Sequence, residues 1–377
     1  MSTVSANTIL DATGGNTATI NGATPTVYNT MGKNRVINGS MVVAQRGGGA
    51  STTLTNSATT YCVDRWAFYR DVGGTFTAVQ SGTAPAGFSS SSLITASTGA
   101  SPSAAQVNFV QQQIEGFNVD DLKWGTSDAK SVTLSFWVRS SVTGSFPVGI
   151  SNVDLTRSNR FDVTISSADT WTYVTKTIAG DTTGTWATGN TAGIRLYFDL
   201  GSGSDYVGTA DTWTGTWDIR TSSSMTWGAN TAATLYITGV QLEVGSVATE
   251  FERRPYGTEL ALCQRYYQHS YATGTAVGTA TSVGAAHFGG GQNGSTTGYL
   301  AGPWILFPVQ LRTFPTITVW DIGGNSGVCH RFTYAVGGAN SQSYSIAATS
   351  DKSIYGYSSG STNYAGVSIH WRAEAEL

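Results

Sequence analysis

Charged side chains are scarce in this sequence. They make up 11% of the 377 residues, with 20 basic and 23 acidic residues, whereas about 25% is usual in soluble domains. A nucleic-acid-binding protein needs a basic surface, and the formal net charge of −3 argues against nucleic acid as a partner. No apolar run reaches the ~20 residues that cross a bilayer. We therefore expect no membrane insertion.

Cysteine is also rare. The three cysteines, Cys62, Cys263 and Cys329, are odd in number and lie far apart, which argues against a disulfide framework. We expect three reduced and mostly buried thiols. Residues 1–25 have neither the basic nor the apolar region of a secretory signal. The protein is therefore expected to fold in a cytoplasm, even if it acts elsewhere.

The sequence shows none of the common catalytic motifs in its expected context. It has no nucleophile elbow between a strand and a helix, no HExxH, no Walker loop and no CxxC. The four histidines are scattered. Cys329 and His330 are neighbours, so a strand would point them to opposite faces, which is poor geometry for a metal. We expect no catalytic residue and no cofactor.

A group of aspartates, Asp199, Asp205, Asp211 and Asp218, lies close together in the sequence. Glycoside hydrolysis needs two carboxyl groups at a fixed separation, so a polysaccharide depolymerase remains an alternative. These residues lie in Gly-, Ser- and Thr-rich stretches, where Asp is a common turn former. A structural Ca²⁺ held by turn aspartates and backbone carbonyls also stays open.

Glycine, threonine and aromatic residues are plentiful, and their pattern predicts an all-β protein. Hydrophobic residues make up 40% and aromatic residues 11% of the chain, with 46 glycines. Apolar and polar residues alternate over 132–139, 161–165 and 194–200, as in half-buried strands. In 235–244 the alternation changes phase at Gly239, which predicts a β-bulge. Short strands between Gly- and Ser-rich turns favour a jelly roll or β-sandwich.

The composition divides the chain into three regions. Residues 1–33 are polar, contain turn signals and have too few apolar residues for a core. Residues 34–255 form the predicted jelly-roll domain. Residues 256–377 are predicted to form a short helix followed by a C-terminal β domain.

In the last region, Leu260, Cys263 and Tyr267 are spaced as on an amphipathic helix of about three turns. A long Gly-rich stretch at 274–298 predicts either weak strands or an exposed apical loop. Further strands are predicted at 304–309, 317–320, 332–336 and 367–371.

Tryptophan is unusually frequent, with 11 residues. Apolar rings stack on sugars, and nearby carboxyl and amide groups bond the hydroxyls. Core packing is the alternative for any single ring. Trp213 and Trp217 form the preferred pair, since Gly215 between them leaves room for a ligand and Asp211 and Asp218 flank them. The full set of predicted glycan-binding rings is Trp171, Tyr173, Trp186, Trp213, Trp217 and Trp227.

Several motifs resemble a module of bacteriophage tail-fibre and receptor-binding proteins, particularly those of aquatic phages. The start of the module is similar to NRVINGSM at 34–41, AQRG at 44–47 and YCVDRW at 61–66. Its end is similar to QLEVG at 241–245, ATEFERRP at 248–255 and ELALCQRYY at 259–267. The closing RAEAEL at 372–377 resembles the last strand of such fibres.

This resemblance implies a carbohydrate-binding-module-like jelly roll joined to a C-terminal β domain. It implies a virion protein of the tail that attaches the phage to host surface glycans and folds in the host cytoplasm. A head-borne fibre, a decoration protein or a connector without sugar binding is an alternative, and a depolymerase is a second one. The matching motifs are structural, so the resemblance assigns no binding residue.

The resemblance also bears on assembly. Residues 6–11 (ANTILD) and 14–22 (GGNTATING) resemble arms that dock on other virion proteins, with predicted contacts at Asn7, Ile9, Leu10 and Ile20. Fibres of this kind are usually homotrimers. Strand faces with Trp304, Leu306 and Trp320 are expected to be left uncovered by one chain and to meet in such a trimer.

Overall fold

The computed structural model describes residues 32–47, 49–289, 299–332, 340–359 and 365–377. This part of the chain is almost entirely β-structure, with two six-stranded sheets, one short α-helix and a nine-stranded sheet. The expected all-β fold is confirmed. In the described residues, no helix has the length and apolar character to cross a membrane. The predicted docking residues Asn7, Ile9, Leu10 and Ile20 lie outside the described residues.

The first sheet has six antiparallel strands. They are β1 (Thr52–Thr53), β4 (Thr75–Ser81), β5 (Ser91–Thr98), β7 (Val132–Ser140), β10 (Thr172–Ile178) and β12 (Ala233–Val244). Their order across the sheet is β1-β4-β5-β12-β7-β10. The longest strand, β12, therefore lies near the middle and pairs with β5 and β7.

The second sheet also has six antiparallel strands. They are β2 (Thr60–Tyr61), β3 (Ala67–Arg70), β6 (Asn108–Glu115), β8 (Gly144–Ser151), β9 (Ser158–Ile165) and β11 (Ala192–Asp199), in the order β2-β3-β6-β11-β8-β9. From β5 to β12 the chain crosses repeatedly between the two sheets, which is jelly-roll topology. The connections include 3₁₀ turns at Gly116–Asn118, Asp120–Leu122, Ser204–Tyr206 and Trp227–Ala229.

The core lies between these two sheets, and the predicted alternation determines which side chains enter it. In β7, Val132, Leu134, Phe136 and Val138 are fully buried. Phe136 meets Phe198 of the opposite sheet with ring centroids 5.0 Å apart. The intervening residues of β7 point to the outer face of the first sheet. The alternation predicted for 132–139 is therefore confirmed.

The predicted bulge in β12 is present. Gly239 has φ +63°, and the pairing of β12 with β7 shifts register between Thr238 and Gln241. This left-handed backbone favours glycine. A Cβ at Gly239 would lie 2.8 Å from a ring carbon of Phe88 and 3.0 Å from Trp137. Glycine therefore both permits the bulge and leaves room for two rings on the outer face.

Helix α1 spans Tyr256–Gln264 and is shorter than predicted. The prediction that Tyr267 belongs to it is wrong, because Tyr267 begins the next strand and pairs with Glu374. The buried helix residues are Glu259 and Cys263, one turn apart, and Leu260 is only partly buried. Strand pairing to the end of the chain thus ends the helix before its third turn.

The C-terminal sheet has nine strands arranged around the last one. They are β13 (Tyr267–His269), β14 (Ala286–Gly289), β15 (Tyr299–Ala301), β16 (Ile305–Leu306), β17 (Thr316–Trp320), β18 (Val328–Phe332), β19 (Asn340–Thr349), β20 (Ser353–Ser359) and β21 (Gly366–Glu374). Strand β21 pairs with β13, β14, β17 and β18. The final residues therefore organise the second domain.

The strand predictions for this region are partly confirmed. Strands occur at 317–320 and 367–371 as predicted, and β14 lies within the long Gly-rich stretch. The strand predicted at 304–309 is reduced to Ile305–Leu306. Of the strand predicted at 332–336, only Phe332, the last described residue of β18, can be compared, because residues 333–339 lie outside the described residues, as do residues 290–298 of the Gly-rich stretch.

Of the three side chains expected to lie on uncovered faces of this domain, two are exposed and one is buried. Trp304 is 61% and Leu306 70% exposed, as predicted. Trp320 is only 8% exposed, so its assignment to an uncovered face is wrong. Its ring packs against Tyr271 and under the guanidinium of Arg372.

Four of the sequence motifs meet where the C-terminal sheet joins the sandwich. Arg46 lies between the rings of Tyr61 and Tyr267, at 4.4 and 3.7 Å from their centroids. Its guanidinium bonds Glu376 at 2.8 Å and faces Asp64 at 3.7 Å. Four motifs far apart in the sequence thus supply one buried ionic cluster. We call this cluster the interdomain joint.

The interdomain joint extends on both sides of Glu376. Arg65 also pairs with Glu376, and its guanidinium lies 3.4 Å from the ring centroid of Tyr266. Beyond it, Arg265 forms a two-bond ion pair with Glu115 of β6 at 2.9 and 3.0 Å. The C-terminal residues therefore attach the second domain to the sandwich.

Candidate functional site

Aromatic side chains gather on the outer face of the first sheet, the side that points away from the core. We call this surface the aromatic face. Four of its rings lie in or next to strands β7, β10 and β12, and two lie in connecting segments near the bulge at Gly239. Its members are Phe88, Trp137, Trp171, Tyr173, Tyr236 and Phe251.

Tyr173, the most exposed ring of this face, pairs with Trp137. The register of β10 and β7 places them directly opposite each other. Their ring centroids are 5.1 Å apart with the planes tilted by 40°, and Tyr173 is 46% exposed. Because both side chains are held by a regular antiparallel ladder, little ordering entropy remains to be lost when a ligand stacks on them.

A second pair is formed between strand β12 and the residue before β10. Trp171 precedes β10, and its ring lies 6.0 Å from that of Tyr236, edge to face. Arg139 covers Tyr236 at 4.9 Å and forms an ion pair with Asp169 at 3.2 Å. Hydrogen-bonding groups therefore border the rings at this end of the face.

The third pair lies beyond the bulge. Phe88 and Phe251 meet edge to face at 5.1 Å, and the absent side chain of Gly239 lets Phe88 approach Trp137. The guanidinium of Arg253 lies 4.8 Å from the Phe88 centroid. The rings therefore extend across several strands of the sheet, with polar groups at both ends.

This arrangement suits binding to extended, hydroxyl-rich molecules. Apolar rings present flat surfaces to the C–H faces of sugars, while neighbouring polar groups bond the hydroxyls. Of the predicted residues, Trp171 and Tyr173 lie on the aromatic face. Trp137 and Tyr236 were not predicted, although their alternation with buried residues of β7 and β12 placed both away from the core. Phe88 and Phe251 had no such signal.

Trp186 and Trp213 lie elsewhere, at one end of the sandwich. Both rings pack edge to face against Trp124, at 4.7 and 5.3 Å, and against each other at 5.4 Å. Their indole N–H groups donate to the carbonyls of Thr183 and Ala179. These half-buried rings contribute to packing and leave little free aromatic surface.

The predicted pairing of Trp213 with Trp217 is wrong. Thr214 pairs with Ser158 of β9, and the chain does not continue as a strand. Trp217 instead packs on the outer face of the second sheet, 6.0 Å from Phe109 and 5.0 Å from Tyr206. Trp213 packs with Trp124, so the two rings serve different clusters.

Trp227 does not belong to a surface platform, which corrects its assignment. It is fully buried in the sandwich core. Its indole N–H donates to the hydroxyl of Ser140 at 3.2 Å. The Gly- and Thr-rich sequence around it predicted an exposed loop, but the 3₁₀ turn at Trp227–Ala229 directs the ring inward.

Asp211 and Asp218, the two aspartates predicted to flank a ligand, also lie in different surroundings. Asp211 is exposed, forms a 2.6 Å ion pair with Lys176, and borders a polar groove of about 650 Å³ at the edge of the sandwich. Asp218 is buried and accepts hydrogen bonds from Thr214 and Thr216. Asp218 therefore cannot serve as an exposed acceptor beside a ligand.

The described residues contain no group of three or more acidic, His or Cys side chains placed to hold a metal ion. All three cysteines are buried thiols, as predicted. Asp199, one of the aspartates considered for catalysis or Ca²⁺, is buried and accepts hydrogen bonds from Ser202. The carboxylates of Asp199, Asp211 and Asp218 thus have separate protein partners.

Neither protein-family models nor curated protein sequences match this chain. Solved structures do show similarity. One is the enzymatically active domain of tailspike protein 4 from bacteriophage CBA120, with a TM-score of 0.30 and 11% identity, over 56% of this chain and 22% of that chain. The matched part is thus a minor share of the tailspike domain.

Two other similar structures are matched over nearly their whole length. A putative sugar-binding protein from Bacteroides thetaiotaomicron has a TM-score of 0.29 and 14% identity, over 56% of this chain and 100% of that one. A family 11 carbohydrate-binding module from Clostridium thermocellum has a TM-score of 0.27 and 9% identity, over 53% and 98%. At these values we transfer no residue correspondence.

Proposed function

We propose that this protein is a non-enzymatic adhesion protein that binds glycans through the aromatic face. The observation that carries the proposal is the set of paired rings on the outer side of the first sheet, with Tyr173 opposite Trp137 and Trp171 beside Tyr236. Core packing does not need rings on this side, since the apolar residues of β7 already fill the space between the sheets.

We further propose that the glycan belongs to a host cell surface and that the protein is part of a phage virion, in the tail or on the head. The support is the sequence resemblance to tail-fibre proteins. Four of its motifs, AQRG, YCVDRW, ELALCQRYY and RAEAEL, supply residues to the interdomain joint. A joint of buried ion pairs and stacked rings suits a fibre that must hold its two parts in fixed orientation while attached to a surface.

The test is retention on an array of immobilised bacterial polysaccharides. Tyr173→Ala and Trp171→Ala remove rings from the aromatic face, and each should weaken binding by about 1–3 kcal/mol, by analogy with rings that stack on bases. Phe117→Ala is the matched control, because Phe117 is 59% exposed on a 3₁₀ turn away from this face. The control should bind like the unchanged protein.

Three results would contradict the proposal. Full-strength binding by both face variants would move the site elsewhere. New reducing ends after incubation with a polysaccharide would favour the depolymerase alternative. Retention on no polysaccharide would favour a connector or decoration protein.

Assembly is the second part of the proposal. We propose a homotrimer in which the exposed Trp304 and Leu306 of β16 and its neighbourhood meet between chains. Trp304 stacks on Tyr355 at 5.6 Å, so the apolar surface continues onto β20. Covering such a surface by a second chain removes apolar area from water.

We also propose that residues 1–33 dock the protein onto another virion component. Their sequence has too little apolar content to fold alone. Deleting residues 1–30 should leave a folded, soluble protein that no longer enters particles. Normal incorporation of this truncated protein, measured by immunolabelling of purified virions, would contradict docking through the arm.

A further inference from the structure

The aromatic face ends at a cavity beside the start of helix α1. The cavity has a volume of about 490 Å³, within the ~300–1,000 Å³ range of ordinary ligand sites. Phe88 and Phe251 form its apolar wall, so the cavity is continuous with the rings. Its charged lining residues are Glu252, Arg253, Arg254 and Glu259.

Three of these four charges are already engaged within the protein. Glu252 accepts hydrogen bonds from the backbone N–H groups of Gly32 and Asn34. Buried Glu259 pairs with Arg254 at 3.3 Å. Arg254 also faces Glu252 at 3.6 Å and donates to the carbonyl of Asn34. These groups neutralise one another and secure the chain near the interdomain joint.

Arg253 differs from its neighbours. Its side chain is exposed, and among the described residues it forms no ion pair with a carboxylate. The guanidinium rests over Phe88 and Phe251, at 4.8 and 5.8 Å from their centroids. Gly87, with φ +87°, leaves space for it, since a Cβ there would lie 3.3 Å from a guanidinium nitrogen.

A guanidinium held in this way is preorganised to bind an oxyanion. Stacking on rings fixes its plane and leaves N–H donors at its edge, and the planar fork matches carboxylate, phosphate and sulfate groups with two parallel hydrogen bonds. The rings that hold Arg253 belong to the same surface on which a sugar chain would stack. The cation therefore lies at the end of the sugar platform.

We propose that the protein selects acidic glycans, and that Arg253 binds the anionic group of a sugar whose neighbouring units stack on the aromatic face. This inference rests on the proposed glycan binding and adds the charge class of the ligand. The anionic group is either a uronic carboxylate or a phosphate or sulfate ester, since all three fit the same fork.

The experiment compares variants on immobilised bacterial polysaccharides of three kinds: uronate-containing, phosphate- or sulfate-containing, and neutral. Arg253→Gln should lose about 10- to 100-fold in affinity for acidic polysaccharides, the usual range for a charged hydrogen-bond partner. It should keep any affinity for neutral ones. Arg253→Lys keeps the positive charge but lacks the planar pair of N–H donors. Its affinity for acidic polysaccharides should therefore lie between those of the unchanged protein and Arg253→Gln. The class of acidic polysaccharide that retains the protein identifies the anionic group that Arg253 binds.

Two controls separate ligand binding from packing. Lys123→Gln removes the same charge from an exposed lysine that pairs with Asp128, and it should bind like the unchanged protein. Because Arg253 is exposed, Arg253→Gln should unfold at the same temperature as the unchanged protein. Raising the NaCl concentration should weaken acidic-glycan binding by the unchanged protein much more than by Arg253→Gln.

The outcomes distinguish this inference from the proposed function. Retention on neutral polysaccharides alone, or unchanged acidic binding by Arg253→Gln, would overturn the role of Arg253 and leave glycan binding intact. A lower unfolding temperature with equal losses on all polysaccharides would make Arg253 a packing residue and also overturn it. Retention on no polysaccharide would contradict both.

Discussion

At the residue scale, Glu376 is the residue at which substitution should affect stability strongly, because its carboxylate bridges two largely buried arginines, Arg46 and Arg65. A buried ion pair adds little over apolar packing, but removal of one partner leaves the other charge uncompensated. The second-last residue of the chain is therefore more important for folding than its place in the sequence indicates.

Glu376→Gln should accordingly lower the free energy of unfolding by about 3–5 kcal/mol. The control is Asp128→Asn, far from this cluster in the sequence, whose carboxylate is 70% exposed and pairs with Lys123 at 3.3 Å. Such an exposed pair contributes about 0–1 kcal/mol. Urea unfolding of both variants gives the comparison, and equal losses would show that Glu376 does not bridge the domains.

Asp199 predicts a pH dependence of stability. Complete burial raises the pKa of its carboxyl group to about 6, although hydrogen bonds from Ser202 act in the opposite direction. The folded pKa thus exceeds the unfolded value of about 3.9. The stabilising contribution of the protonated group is fully present below the unfolded pKa and is lost as the pH rises through about 6.

Relative to Asp199→Asn, the unchanged protein should therefore gain about 2 kcal/mol in unfolding free energy between pH 7 and pH 4, at about 1.4 kcal/mol for each unit of pKa shift, because the unfolded carboxyl group is still about half ionised at pH 4. The Asn variant removes this titration and retains a carbonyl oxygen for Ser202. Urea unfolding of both proteins at several pH values measures the difference. A difference that stays constant across this pH range would contradict the raised pKa.

At the scale of elements, strand β12 links folding to the aromatic face. Its bulge at Gly239 keeps apolar residues facing the core on both sides of the phase change, with Leu235 and Ile237 before it and Leu242 after it. The same glycine makes room for Phe88 beside Trp137. The backbone of one strand thus determines how the rings of two segments meet.

Gly239→Ala should cost about 1–2 kcal/mol for left-handed backbone, and more from the contact with Phe88. It should also weaken glycan binding, since Phe88 or Trp137 must move. Gly215→Ala is the control, because no atom lies within 4 Å of a Cβ there. Thermal unfolding and polysaccharide retention test both variants. If Gly239→Ala is less stable but binds polysaccharides as strongly as the unchanged protein, the bulge does not shape the binding site.

At the scale of the whole molecule, the exposed apolar surface of the C-terminal domain provides a test of the proposed homotrimer. Leu306→Asp should convert a trimer to a monomer, because a charge would be buried without a partner between chains. Val247→Asp, on the exposed sandwich surface, should leave the trimer intact. Light scattering measures the mass. A monomeric unchanged protein, or a trimeric Leu306→Asp, would contradict an interface at this surface.

The sequence by itself determined the all-β fold class, the inward faces of strands such as β7, and the bulge at Gly239. These follow from local rules, since side chains alternate with a period of two and only glycine enters the left-handed region easily. The same alternation already assigned Trp137 and Tyr236 to an outer face. Together with the predicted Trp171 and Tyr173, local pattern thus contained four of the six rings of the aromatic face.

Only the tertiary structure decided which loop aromatics are covered. Trp227 enters the core, Trp213 packs with Trp124, and Trp217 lies on the second sheet, although all three occur in similar Gly- and Thr-rich surroundings. It also brought Phe88 and Phe251 together from positions far apart in the sequence. Exposure of a loop ring depends on what the rest of the chain places over it, and no local period encodes that contact.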